Sequence, residues 1–113
     1  MATIVLRDIP KERVDLDGAS FPVAGGFRGF QNVPSGFHLV TVHEGATRYP
    51  AEVLLSDEES VAVLTLHGGV LGSDESEDGA RAGELAASGA MNRALVDPMA
   101  SAKLALSRWR DAT

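Results

Sequence analysis

Three histidines are the side chains with the widest potential chemistry in this 113-residue chain, which has no cysteine. His38 and His43 belong to one predicted strand, and because they are five residues apart their side chains point to opposite faces of the sheet. No carboxylate joins them or His67 at a spacing typical of metal ligands. The sequence therefore predicts no metal site and no cofactor. His38 is expected to hydrogen-bond the backbone near its own turn.

An acidic segment, residues 74–78, is a second candidate for a metal. Asp74, Ser76, Asp78 and Gly79 occupy positions one, three, five and six of a calcium-binding loop. Such a loop requires a bidentate glutamate at position twelve, where this chain has a leucine. We interpret the segment as a solvated loop that caps the N-terminus of a helix.

Pairs of nucleophile and base are the next candidates. Ser35 precedes His38 by three residues, but no nucleophile-elbow pattern surrounds it. The glycine-rich stretch 25–29 lacks the strand-to-helix context of a phosphate loop. We predict no catalytic residue and no enzymatic activity. Arg28 is the best candidate for a functional charge, although an ion pair with the acidic segment is the more common outcome for such a residue.

Charge is unevenly distributed along the chain, whose net charge is −6 at pH 7. Residues 51–90 contain nine acids and one arginine. Because this acidic middle repels phosphate backbones and the basic residues form no stripe, we expect no direct nucleic-acid binding. No apolar stretch approaches the ~20 residues of a membrane span, and the N-terminus lacks a signal-peptide pattern. We therefore expect a cytoplasmic protein that does not bind membranes.

Short apolar segments separated by proline and glycine fill residues 1–70. This pattern predicts a mainly β fold, an antiparallel β-sandwich or barrel-like meander of six to seven short strands. Asp17-Gly18 predicts a hairpin turn, and Pro22 predicts an edge strand. The glycine pair at 68–69 predicts the end of the β part.

Two helices are predicted in residues 73–113, the helical part of a single domain that spans 1–113. The first covers 76–92. The second covers 98–111, because Asp97-Pro98 is a strong helix start. The apolar seam of the second helix consists of Met99, Ala102, Leu106 and Trp109.

A candidate interface is expected on these helices. Leu104 lies opposite the apolar seam of the second helix. Beside Leu95 and Val96, which precede that helix, it is expected to form an apolar patch of the kind that marks an interface.

The most distinctive stretch, residues 27–38, combines a strand, a tight turn and the beginning of a second strand. A proline and a glycine two residues later mark the turn, and an almost unbroken apolar run over 37–42 follows. We expect Phe27 or Phe30, together with Phe37, to contribute to the core. The predicted structural motif consists of Phe27, Arg28, Gly29, Pro34, Gly36, Phe37 and His38.

This motif resembles the N-terminal domain of the A-one cistron-splicing factor family (Aar-two). That domain has Phe-Lys/Arg-Gly, a hydrophobic residue, Pro-Pro-Gly, another hydrophobic residue and His. A first strand ending near Pro10 and a tryptophan-containing helix after Asp97-Pro98 are also similar, so the resemblance covers nearly the whole chain. Ser35 stands where the family usually has a second proline. The family's second, helical domain is not present in this sequence.

The resemblance implies a β-sandwich-like domain in a factor that binds the large scaffold protein of the spliceosomal U-five particle. A composition rich in Ala, Gly, Asp and Arg, with only two lysines, favours a GC-rich and bacterial source. A bacterial source would offer no spliceosomal partner, so the resemblance leaves the actual partner unknown.

Two hypotheses for the function follow. The favoured one is a non-enzymatic protein-interaction or assembly-factor-like domain that binds a protein partner, or another copy of itself, through a sheet edge or the helical pair. The alternative is a small-ligand-binding or enzymatic domain with a pocket near Arg28 and His38. The lack of clustered acid and base groups argues against catalysis.

Overall fold

The structure, a computed structural model, describes residues 2–23 and 26–98. These residues are mainly β, as predicted. They form nine strands, one α-helix and a short 3₁₀ turn: β1 Ala2–Arg7, β2 Arg13–Leu16, β3 Ala19–Pro22, β4 Gly29–Val33, β5 Gly36–Glu44, β6 Thr47–Leu55, β7 Val61–His67, β8 Val70–Ser73, α1 Glu77–Ala87, the 3₁₀ turn Asn92–Ala94 and β9 Leu95–Val96.

The strands form two open sheets. One has five strands in the order β8-β7-β1-β4-β9, and the other has four in the order β3-β2-β5-β6. Five of the seven strand pairs are antiparallel within the described residues, whereas β1–β7 and β4–β9 are parallel. A simple meander pairs only consecutive strands and contains no parallel pairs. The four-stranded sheet is antiparallel, as predicted, but its β2 pairs with β5, so neither sheet is a simple meander.

The main hydrophobic core lies between the two sheets. Alternate residues of β1, namely Ala2, Ile4 and Leu6, point into it from the five-stranded sheet. The side chains that meet them from the four-stranded sheet also follow a period of two, as expected for strands with one buried face. They are Val14, Leu16, Phe21, Val40, Val42, Val53 and Leu55.

The α-helix covers the opposite face of the five-stranded sheet. Val5, which points away from the main core, is buried against Ala82 and Ala86 of α1. Small side chains on this helical face allow the helix to lie close to the sheet, and a Cβ at Gly83 would already contact Val63 at 3.4 Å. The fold is therefore a three-layer arrangement of helix, sheet and sheet.

The helix begins at a network of polar side chains. Ser76 is the N-cap residue and accepts a hydrogen bond from the backbone of Gly79 at 3.1 Å. Asp74 accepts hydrogen bonds from the backbone and hydroxyl of Ser76, and its other oxygen pairs with Arg7 at the end of β1. The bonds from Ser76, followed by the pairing with Arg7, outweigh desolvation and lower the pKa of Asp74.

The helix ends earlier than predicted, at Ala87 instead of residue 92. Gly89 adopts a left-handed conformation with φ +84°. Its backbone N–H bonds to Ala86, and that of Ala90 bonds to Leu85, which together form a Schellman motif. The chain then turns and returns to the sheet as β9. The predicted second helix, 98–111, lies outside the described residues except for its first position.

Two strands were not predicted from the sequence. His67 pairs with Val70 across the glycine pair at 68–69, so those glycines form a hairpin turn into β8 and do not end the β part. β9 pairs with the free side of β4. The predicted turn at Asp17-Gly18 and the edge position of Pro22 are both confirmed.

Gly29 lies in close contact with the backbone of β1 in the five-stranded sheet. It pairs with Val5 of β1 on one side and Leu95 of β9 on the other. Its φ is +148°, a conformation that residues with a side chain rarely adopt, and an added Cβ would overlap the carbonyl oxygen of Ile4. Only glycine allows β1 and β4 to approach this closely.

Replacing Gly29 with alanine should therefore destabilise the protein strongly. Backbone strain and overpacking each cost about 1–3 kcal/mol, so we expect Gly29→Ala to lower the free energy of unfolding by at least ~2 kcal/mol. Urea denaturation followed by circular dichroism measures this change. Gly72→Ala is the matched control, because Gly72 also lies in a strand and has open space around it. Equal stability of the two variants would contradict the steric account.

Candidate functional site

The motif of residues 27–38 is divided by β4 into two ends. Phe27, Arg28 and Gly29 lie where β4 begins, and the turn that precedes β5 lies where it ends. A five-residue strand is about 17 Å long at ~3.4 Å per residue. The two ends of the motif therefore face different surroundings.

The aromatic residues of the first end belong to the core. Phe30 is fully buried. Its ring makes edge-to-face contacts with Phe21, at a centroid distance of 5.1 Å, and with Phe27, at 5.3 Å. Such pairs add to the stabilisation from burial alone. This part of the motif is structural.

Arg28 uses its backbone and its side chain differently. Its N–H bonds to the carbonyl of Ala94 at 2.8 Å, and its carbonyl accepts a bond from Leu6 at 2.9 Å. The side chain is exposed and forms no ion pair with any described residue. The ion pair expected between Arg28 and the acidic segment is instead formed by Arg7 and Asp74.

His38 connects two turns at the other end of the motif. Its Nε2 bonds to the carbonyl of Pro34 at 2.6 Å, and its Nδ1 lies 2.6 Å from a carboxylate oxygen of Asp17 in the β2–β3 hairpin. The second carboxylate oxygen of Asp17 accepts a bond from the backbone of Leu39 at 2.8 Å. His38 thus fixes the turn before β5 against the neighbouring hairpin, an extension of the expected bond to its own turn.

Both partners of the His38 ring are hydrogen-bond acceptors. A carbonyl oxygen and a carboxylate are both satisfied only when the ring is protonated on both nitrogens. Burial alone would lower the pKa of His38, but the bonds to Asp17 and Pro34 outweigh it and the net effect raises the pKa. The protonated ring is the form that this arrangement stabilises.

Phe37 is exposed, which corrects the expectation that it belongs to the core. Its side chain is 76% exposed. Val40 and Val42 of β5 point into the core, so Phe37 and Leu39, at odd-numbered positions of the same strand, point away from it. Leu54, directly opposite on β6, is 58% exposed, and Leu39 is 46% exposed. These three side chains form one apolar surface, the Phe37 patch.

Comparison with protein families identifies this arrangement. The model of the AAR2 N-terminal domain matches residues 1–112. The chain belongs to the AAR2 N-terminal domain family. The resemblance inferred from the motif is thereby confirmed. The family is one of splicing and snRNP assembly factors and is not a family of enzymes. Comparison with curated proteins found no match.

A cluster of Ser20, Asp15 and His43 in this family member contains the residue types of a catalytic triad in the wrong order. Asp15 lies between the other two, accepting from the Ser20 hydroxyl at 2.6 Å and bonding His43 Nε2 at 2.8 Å. A triad requires the histidine to contact the nucleophile. Since an arginine only donates, Arg13 must donate to His43 Nδ1, which therefore accepts.

The same cluster affects the protonation of its carboxylate. The bond from Ser20 contributes most to lowering the pKa of Asp15, with further contributions from His43 and Arg13 that outweigh desolvation. The cluster joins β2, β3 and β5 on the outer face of the four-stranded sheet. We interpret it as a structural network.

Among the depressions lined by residues 2–23 and 26–98, Arg28 lines one and His38 lines none. A depression of about 470 Å³ lies beside Arg28 and includes Lys11, but His38 does not line it. A second depression, of about 520 Å³, lies around Arg7 and Asp74. The described residues therefore do not form the single pocket near Arg28 and His38 that the small-ligand hypothesis predicted, because β4 separates these two residues.

Residues 2–23 and 26–98 contain neither a metal-binding cluster nor a helix that could span a membrane. No three histidine, aspartate or glutamate side chains in this part of the chain lie close enough to hold a metal ion. The α-helix described there is too short and polar to cross a membrane.

The predicted interface residues lie elsewhere than expected. Leu95 is buried and Val96 is half-buried, because both form β9 against β4. They therefore do not contribute to an exposed helical patch. Leu104 lies outside the described residues.

Leu39, Leu54 and Lys11 were not predicted as site residues from the sequence. The first two were read as part of continuous apolar strands with much to bury. A period of two was nevertheless available: Phe37, Leu39 and Thr41 alternate with Val40 and Val42, the buried apolar residues of β5. Nothing near Lys11 in the sequence signals its proximity to Arg28, since the two meet only through the pairing of β1 with β4.

The His38 network predicts a pH-dependent stability. The pKa of His38 is raised in the folded protein. Its contribution to the free energy of unfolding is therefore complete below the ordinary histidine pKa of about 6.5, and it is lost as the pH rises through the pKa of the folded state. We expect His38→Gln to be less stable than wild type by roughly 1 kcal/mol at acidic pH, a modest value because Asp17 is partly screened by solvent. This difference should shrink toward pH 8.

Urea denaturation at a series of pH values from 5.5 to 8 measures the effect. His67→Gln is the control, because the His67 side chain is exposed and makes no hydrogen bond with any described residue. A difference between wild type and His38→Gln that grows as pH rises would contradict the proposed network.

Phe37 and Phe30 should differ sharply when truncated. Phe30→Ala removes a fully buried ring and should cost about 3–5 kcal/mol. Phe37→Ala removes an exposed ring and should change the free energy of unfolding by no more than about 0.5 kcal/mol. Thermal and urea denaturation of both variants test the contrast. A Phe37→Ala variant as unstable as Phe30→Ala would show that the Phe37 side chain is buried.

Proposed function

We propose that this domain is a non-enzymatic protein-binding module that docks a partner protein on the Phe37 patch. The single observation that carries the proposal is the high exposure of an aromatic side chain within the family motif. Leu54 and Leu39 extend it into a contiguous apolar surface on the outer face of the four-stranded sheet. We therefore assign binding to the exposed Phe37 and stabilisation of the fold to the buried Phe30 of the same motif.

Physical chemistry favours such a patch as a binding site. An exposed phenylalanine gains about 1.5–3 kcal/mol when it is fully buried. Aromatic anchors surrounded by smaller contacts provide much of the energy of protein interfaces. The Phe37 patch also lies on a rigid base, since His38 and the backbone of Leu39 are both bound to Asp17. A preformed surface loses little conformational entropy on binding.

The partner that fits the patch is a different protein, not a second copy of the chain. Two copies would each carry a net charge of −6 and repel one another. Glu52 is paired directly with Leu39 and borders the patch. We therefore propose a partner that presents apolar side chains beside a basic residue. This role agrees with the assembly-factor family, and we place it in the cytoplasm.

The identity of the partner depends on the source cell. In a eukaryotic cell, the large scaffold protein of the U-five particle is the first partner to test. In a bacterial cell, the same patch would serve a different protein. We do not propose catalysis, because the Ser20–Asp15–His43 order provides no contact between nucleophile and base.

The experiment begins with affinity capture from the source cell and ends with a measured affinity. The captured protein is purified, and its dissociation constant is measured by calorimetry with wild type, Phe37→Asp and Val70→Asp. Val70 is the matched control, because it is 66% exposed but lies on β8 of the other sheet. We expect Phe37→Asp to weaken binding at least tenfold and Val70→Asp to change it less than twofold.

Two results would overturn the proposal. The first is equal affinity of Phe37→Asp and wild type for the purified partner. The second is a wild-type dimer in light scattering that Phe37→Asp converts to a monomer, which would assign the patch to self-association.

A further inference from the structure

The depression beside Arg28 combines positive charge with an apolar floor. Its volume is about 470 Å³, within the range of pockets that hold small ligands or single peptide segments. The end of β1, the loop after it and the start of β4 form its walls. It lies at the opposite end of β4 from the Phe37 patch and is independent of it.

The charged residues around the pocket are mostly cations. Arg28 and Lys11 form no ion pair with any described residue, whereas Arg7 is already paired with Asp74. Asp8 is the single acid in the lining. A local excess of positive charge is notable in a protein whose net charge is −6. The positive charges of Lys11 and Arg28 favour binding of a negatively charged group in this pocket.

The floor of the pocket is apolar. Ile9, Val23 and Phe27 are half-buried, pack against the main core and line the depression. A ligand with an apolar group could cover this surface while its acidic group remained near the two cations. Charge and apolar surface together define a more specific ligand than either does alone.

We propose that this pocket binds an acidic peptide segment of a partner protein, with one apolar side chain on the floor and flanking carboxylates on Lys11 and Arg28. Carboxylates suit the site because the planar guanidinium of Arg28 can bind them with two parallel hydrogen bonds. Asp8 at the rim disfavours the higher charge of a phosphate group. A nucleic-acid strand is disfavoured further by the acidic surface of the whole domain.

The test uses a defined probe, the peptide Asp-Asp-Phe-Asp-Asp with blocked ends, titrated into ¹⁵N-labelled protein. We expect saturable chemical-shift changes centred on the amides of Ile9, Lys11 and Arg28. The double variant Lys11→Glu/Arg28→Glu should weaken binding at least tenfold. Arg48→Glu, a charge reversal on β6 outside the pocket, should change the affinity less than twofold.

Further probes define the chemistry of the ligand. A peptide with lysines in place of the aspartates should not bind, and one with alanine in place of phenylalanine should bind at least fivefold more weakly. Decanoate, which carries one carboxylate on an apolar chain, should bind more weakly than the peptide. Tighter binding of decanoate would overturn the peptide assignment in favour of a free fatty acid.

Phe37→Asp separates this inference from the proposed function. It should bind the peptide as wild type does, because the Phe37 patch is at the other end of β4. Two results would overturn the proposal that this pocket is a binding site, whatever the outcome at the Phe37 patch. One is the absence of chemical-shift changes at millimolar peptide, and the other is equal affinity of wild type and the double variant for the peptide.

Discussion

The close contact between Gly29 and the backbone of Ile4, which leaves no room for a Cβ, organises the larger sheet. It brings β4 against β1, the central strand of the larger sheet. The backbone of Arg28, the residue before Gly29, forms hydrogen bonds with Leu6 on one side and with Ala94 on the other. One main-chain position therefore connects the N-terminal strand to the segment that follows the helix. A larger residue at this position would separate the strands that form one wall of the core.

The family motif has two physical roles that its sequence does not distinguish. Gly29, Phe30 and His38 hold backbone and core, through close contact, ring packing and a hydrogen-bonded link between turns. Arg28 and Phe37 expose their side chains, one beside a basic pocket and the other on an apolar surface. Because the exposed pair lies at opposite ends of β4, the domain can present two separate contacts to a partner. Within this motif, some side chains therefore stabilise the fold, while their neighbours along the chain are exposed and available for binding.

The sequence predicted those features that depend on local chemistry. Asp17-Gly18 specified its hairpin and Pro22 its edge position, because turn geometry and the missing N–H act within a few residues. β9 could not be predicted, since two residues become a strand only when the free side of β4 is available to them. The exposure of Phe37 was also missed, because an apolar run does not reveal which of its faces another layer covers. Lys11 and Arg28 meet only through the pairing of distant strands.

Native-state hydrogen exchange at Leu6 tests whether the Gly29 contact organises the fold. The Leu6 amide donates its hydrogen bond to the carbonyl of Arg28, beside the Gly29 contact. If this contact organises the fold, the amide should exchange only through global unfolding, with the same free energy of opening as the most protected amides of β5 in the other sheet. Exchange of Leu6 through a local opening of clearly lower free energy, while β5 remains protected, would contradict the account.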